Sequence, residues 1–144
     1  MPILKTAGSL HSASRSHSPS PADTWSSHAA QSVTHWGRSG AVISVEGELD
    51  ASNVGDLADY VQRCAYYCDW LVLDLSTLDF IGTVGFSTLK TIADRCAEDR
   101  IYCTTVPGAA VARLLRICDP DNMLPTTPSR ADALAGAQVF RPVR

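Results

Sequence analysis

The feature that most constrains this chain is one continuous stretch, residues 71–86. It opens with Leu71-Val72-Leu73-Asp74-Leu75, a short apolar run that predicts a fully buried strand. It closes in a turn of small residues, Gly82-Thr83-Val84-Gly85, which leads into a helical pattern. In that pattern Phe86, Leu89, Ile92, Ala93 and Cys96 share one face, and Lys90, Asp94, Arg95 and Asp99 the other. A strand that passes through a turn into a helix puts Thr83 at a helix N-terminus, where unpaired N–H groups and the macrodipole favour negative charge. Two readings of Thr83 follow. Its hydroxyl caps the helix, or it accepts a phosphoryl group that the helix end stabilises.

The flanking segments supply the rest of an α/β domain. Residues 31–36 alternate polar and apolar, Gly37-Arg38-Ser39-Gly40 is turn material, and residues 41–46 return, which predicts a hairpin closed by Gly47-Glu48-Leu49-Asp50. Asp50, Ser52 or Asn53 then caps a helix whose Val54, Leu57, Ala58, Val61 and Ala65 form one apolar stripe. A buried strand is expected at 101–106, a short helix at 109–117 and a last helix from Arg130 to about residue 138, capped by Ser129. Met123-Leu124-Pro125 is at most a short edge strand, because Pro125 has no N–H to donate. The order β-β-α-β-α-β-α-(β)-α predicts a small mixed sheet of about four to five strands packed with about four helices. Residues 1–28, rich in Ser, Ala, His and Pro, read as a disordered tail, residues 29–140 as the folded domain and 141–144 as a frayed end.

Composition removes several classes of function. The formal net charge of −3 has the wrong sign for a nucleic-acid binder, and no apolar run is long enough to span a bilayer. Three of the four histidines fall in the tail, and the fourth, His35, in an expected edge strand. No nucleophile with a base, carboxylate pair or metal cluster emerges, so neither catalysis nor a cofactor or metal is expected. Asp74 and Asp79 read either as solvated strand-end carboxylates or as part of a surface offered to a partner. The five cysteines show no Cys-x-x-Cys spacing. They read as reduced thiols of a cytoplasmic protein, or as containing a redox pair between different elements that involves Cys68 or Cys103.

The run from Asp74-Leu75-Ser76 to Gly85-Phe86 resembles the signature of the STAS family, the domain of bacterial anti-sigma factor antagonists and of sulfate-transporter tails. The antagonists typically carry an apolar strand followed by Asp-Ser-Ser-Gly-Leu or Asp-Ser-Thr-Gly-Leu. Here the hydroxyl is kept as Thr83 and the glycine as Gly85, whereas Gly82 stands for the Asp and Val84 for the second hydroxyl. Gly47-Glu48-Leu49-Asp50 is similar to the family's upstream Gly-Glu-Leu-Asp. The resemblance implies the STAS fold and a binding protein rather than an enzyme. Its partner would be an anti-sigma factor that is a serine/threonine kinase with a GHKL-type ATP site. It implies Thr83 as phosphoacceptor, with Asp50, Gly82, Val84, Gly85 and Phe86 as contact positions around it. Two alternatives remain: a STAS module that senses a ligand or scaffolds a complex without a kinase switch, and a small thiol enzyme.

Overall fold

The structure is a computed structural model that describes residues 21–140. Most of the expected tail and the expected frayed end, 141–144, lie outside the described residues. One six-stranded sheet organises the domain, with strands β1 (Thr24–Ser26), β2 (Ala30–Gly37), β3 (Gly40–Leu49), β4 (Trp70–Asp74), β5 (Leu78–Ile81) and β6 (Tyr102–Val106). Their order is β1-β2-β3-β4-β6, with β5 also on β3. The β1–β2 and β2–β3 pairs are antiparallel, and β3–β4, β3–β5 and β4–β6 are parallel. Four helices complete it: α1 (Val54–Ala65), α2 (Val84–Glu98), α3 (Gly108–Cys118) and α4 (Arg130–Val139).

The alternation of β3 explains the layers. Ala41, Ile43 and Val45 face the main core, which also takes Leu57 and Val61 of α1, Leu89 and Ile92 of α2, and Val111 and Leu114 of α3. Val42 points the other way and joins Val72, Val106 and Ala133 in a small second core beneath α4. Burying such aliphatic side chains stabilises the fold by about 1.5–3 kcal/mol each. The expected stripe of α1 is buried apart from half-buried Ala58, and Tyr60 and Cys64 broaden it.

Several expectations are corrected. The sheet has one strand more than the highest count expected, because β1 and β5 were not foreseen. The folded region begins within the expected tail. Trp25 packs against the core, Trp36 Nε1 donates to Asp23 Oδ1 at 3.0 Å, and Tyr60 donates its hydroxyl to the carbonyl of Ala22. Sidedness hid β1: three residues of a Ser-rich stretch carry no periodic signal, and pairing with β2 decides their state. Consequently β2 is not an edge strand along its whole length, and His35 lies beyond the three residues that β1 covers. Gly47 to Leu49 continue β3 rather than closing the hairpin. The segment around Pro125 contributes a single parallel bridge, Thr105 to Thr126.

Candidate functional site

Thr83 occupies the N-cap position of α2 and is exposed. Its side chain makes no capping hydrogen bond, since its own backbone is already helical at φ −60°, ψ −31°. The capping reading is therefore corrected: an N-cap oxygen reaches the following N–H groups from an extended backbone. The neighbouring hydroxyls behave differently. Ser87 and Thr88 both bond back to the carbonyl of Val84, at 3.0 and 3.3 Å. The Thr83 hydroxyl is thus presented at the positive end of a 15-residue helix with no acidic residue in its first turn.

The platform beneath it comes from β3 and β5. Gly82 donates its N–H to the carbonyl of Leu49 at 2.9 Å, which ties the turn to the end of β3. The ladder between the two strands is irregular, with Leu78 opposite Gly47 and Phe80 opposite Glu48. One extra residue on β5, Asp79, therefore resets the alternation. Leu78 and Ile81 turn into the core, and Phe80 is left 50% exposed beside Gly82. On β3 the accommodation falls to Gly47, at φ +98°, where a Cβ would lie 2.3 Å from the carbonyl oxygen of Ala29. Only glycine takes that conformation without strain.

Just beyond Gly47, the buried Asn53 fixes the Asp50 turn. Its carbonyl oxygen accepts from the Asp50 N–H at 2.9 Å, and its amide donates to the Glu48 carbonyl at 2.9 Å and to Ser27 Oγ at 3.1 Å. Asn53 is the N-cap residue of α1 but makes no capping bond with its side chain. Asp50 caps nothing either; its carboxylate accepts from the Ser52 hydroxyl and N–H at 2.5 and 2.9 Å. These bonds hold Asp50 below the usual carboxylate range.

Of the six expected contact positions, Thr83 and Val84 are exposed, and Asp50, Gly82 and Phe86 are partly so. Gly85 is buried, so it is not an exposed contact position. A Cβ there would lie 2.5 Å from Cγ1 and Cδ1 of Ile81, so this glycine admits β5 rather than a partner. At Gly82 a Cβ would meet nothing closer than 3.8 Å, so that position has room for a side chain. Phe86 packs against the core. The aromatic group that does stand at the surface, Phe80, escapes sequence reasoning, because strict alternation would place it on the face of Leu78.

Asp74 is also corrected. It is neither solvated nor offered to a partner, being 6% exposed. Arg130 of α4 donates Nε and Nη2 to its Oδ2 at 3.0 and 2.9 Å, and the Ser76 hydroxyl and N–H donate to Oδ1 at 2.6 and 3.0 Å. Burial alone would push its pKa up, but these bonds outweigh it and hold Asp74 below the carboxylate range. Asp79 is exposed on β5.

All five cysteines are free thiols. Cys68 donates to the carbonyl of Cys64 at 3.3 Å. Cys103 shares a hydrogen bond with Cys96 of α2, which together with burial pushes the Cys103 thiol up. Among the described residues no group of three or more His, Cys, Asp or Glu is placed to hold a metal ion, and no helix is long and apolar enough to cross a membrane. A groove of about 520 Å³ lies between the β2–β3 turn and α4, lined in part by Arg38, Asp69, Trp70, Leu134 and Phe140.

Comparison with known proteins gives a consistent set. The STAS domain model matches residues 32–133. The anti-sigma-F factor antagonist RsfA of Mycobacterium tuberculosis is 32% identical over 101 residues, covering 67% of this chain and 79% of that protein. The crystal structure of an anti-sigma factor antagonist from Mycobacterium paratuberculosis superposes with a TM-score of 0.66 at 23% identity, covering 76% of this chain and 94% of that one. The antagonist SpoIIAA, solved in its unphosphorylated form, superposes at 0.60 and 12% identity, covering 74% and 96% of the two chains.

Proposed function

Because the chain belongs to the STAS domain family, we propose that it is an anti-sigma factor antagonist. It binds an anti-sigma factor through the surface around Thr83 and so frees a sigma factor for transcription in the cytoplasm. The observation that carries this reading is the exposed, uncapped hydroxyl of Thr83 at the start of α2, framed by Phe80, Gly82 and Val84. The likeness to RsfA, an anti-sigma-F factor antagonist by name, supports the same reading.

The finer reading is a charge switch. The partner is an anti-sigma factor of the serine/threonine kinase type with a GHKL ATP site, and Thr83 is its phosphoacceptor. A phosphothreonine carries about −1.5 to −2 charges at neutral pH. Its own helix end tolerates that charge, whereas a complex that must desolvate it beside an apolar ring does not. Thr83→Ala should keep binding and Thr83→Glu should lose it in a panel of the host's anti-sigma factors. Incubation with the binding partner and ATP, followed by mass spectrometry of the 78–90 peptide, tests the acceptor. An unmodified Thr83, under conditions that phosphorylate another antagonist, rejects the kinase switch and leaves the binding reading standing.

A second form of control is thiol oxidation involving Cys68 or Cys103. The Cys96–Cys103 contact and the proximity of Cys68 support it. Affinity that is equal with and without dithiothreitol rejects it. The groove beside Trp70 favours a different function, a ligand-sensing STAS module. A thermal-shift screen with nucleotides, run beside the anti-sigma panel, separates the two.

A further inference from the structure

Helix α3 packs along β5, the strand that carries Phe80 and leads into Thr83. Its inner side, Ala110, Val111 and Leu114, is buried. Its outer side is a stripe of Ala109, Ala112, Arg113, Arg116 and Ile117, all exposed and spaced i, i+3, i+4, i+7, i+8. The helix contains no acidic residue, and neither arginine has an ion-pair partner among the described residues. The next carboxylate in the chain, Asp119, is buried and accepts from the N–H groups of Met123 and Leu124 at 2.8 and 2.9 Å. Arg116, in the last turn, favours the helix dipole. That reason does not extend to Arg113 in the middle of the helix, nor to Ile117, which is 81% exposed.

Uncommitted arginines next to a bare aliphatic side chain have the composition of a protein interface. Glu48, Asp50 and Asp79 lie where the end of β3 runs beside β5, and α3 packs on that same β5.

We propose that the outer stripe of α3 is the basic half of the docking surface, and that it engages a carboxylate-bearing patch on the anti-sigma factor. The proposal rests on the function proposed above and deepens it. Opposite charges on α3 and on these three carboxylates fix the orientation of the partner, since a reversed partner would set its carboxylates against Glu48, Asp50 and Asp79. They also steer the encounter.

The test uses the full chain and the purified anti-sigma factor that wild type binds in the panel, with association rates read at low and high salt. R113E/R116E should lower the low-salt association rate by about tenfold or more and flatten its salt dependence. R113Q/R116Q should give a smaller loss in the same direction. R63E/R95E, with the same net charge change on α1 and α2, should change the rate by less than about twofold. Circular dichroism and a thermal melt matching wild type establish that each variant is folded, and the glutamine pair decides the matter if the glutamate pair is not. Unchanged rates in the α3 variants, or an equal loss in R63E/R95E, overturn the proposal while the antagonist reading survives. A wild type that binds no anti-sigma factor overturns both.

Discussion

Asp74 and Thr83 lie nine positions apart on one stretch of chain, the first as the last residue of a parallel strand and the second just past the end of another, and the fold treats them oppositely. Asp74 is enclosed and has hydrogen bonds from three donors on Arg130 and Ser76 besides the Ser76 amide's share. Thr83 is exposed, and its hydroxyl caps nothing. A buried carboxylate must be satisfied or it destabilises the fold, so the surroundings of Asp74 are over-determined. A hydroxyl in water carries no such penalty, so its position is free to serve binding. The proposed docking role therefore falls on the polar group of this stretch that the fold does not use.

The largest expected effect is on binding. Thr83→Glu should weaken affinity for the anti-sigma factor by about 2–4 kcal/mol with an unchanged melting temperature, as read by calorimetric titration and a thermal melt. Asp74→Ala should do the reverse. It leaves Arg130 without its carboxylate and costs about 1–3 kcal/mol of stability, read by urea denaturation, while affinity stays near wild type. Equal loss of binding in both variants would erase the distinction between the two sites.

The two glycines of the turn sharpen it further. Gly85→Ala forces a methyl onto Ile81, whose buried side chain has little room to yield, and should cost about 1–2 kcal/mol of stability. Gly82→Ala meets only ordinary contacts and should fall within about 0.5 kcal/mol of wild type. A Gly82→Ala variant as damaged as Gly85→Ala would show that the turn is braced from the outside as well.

The smallest effect is on pH dependence. Asp74 is held below its ordinary value of 3.8 in the folded protein. Its contribution is present above the unfolded value and is lost as the pH falls below about 4 through the folded value. Stability measured from pH 5 down to pH 3 should therefore fall more steeply in wild type than in Asp74→Asn, and equal slopes would count against the Arg130–Ser76 clasp as its cause.

By itself the sequence determined the elements whose signal is local. The run at 71–75, the stripe of α1, the hairpin turn at Gly37-Arg38-Ser39-Gly40 and the Ser129 cap, whose Oγ accepts from the Asp132 N–H at 3.1 Å, are read from neighbours in the chain. So is the placing of Thr83 at a helix start. Tertiary structure alone decided what depends on residues far apart in sequence. β1 exists because β2 pairs with it, and Asp74 is buried because Arg130 arrives 56 residues later. Phe80 faces out because β5 carries one residue more than β3 opposite Gly47 and Glu48, and Gly85 is needed because Ile81 packs on it. Periodicity reports which face of an element is apolar. It does not report a bulge, a strand partner or a distant counter-charge, because those are set by the meeting of elements rather than by the pattern within one.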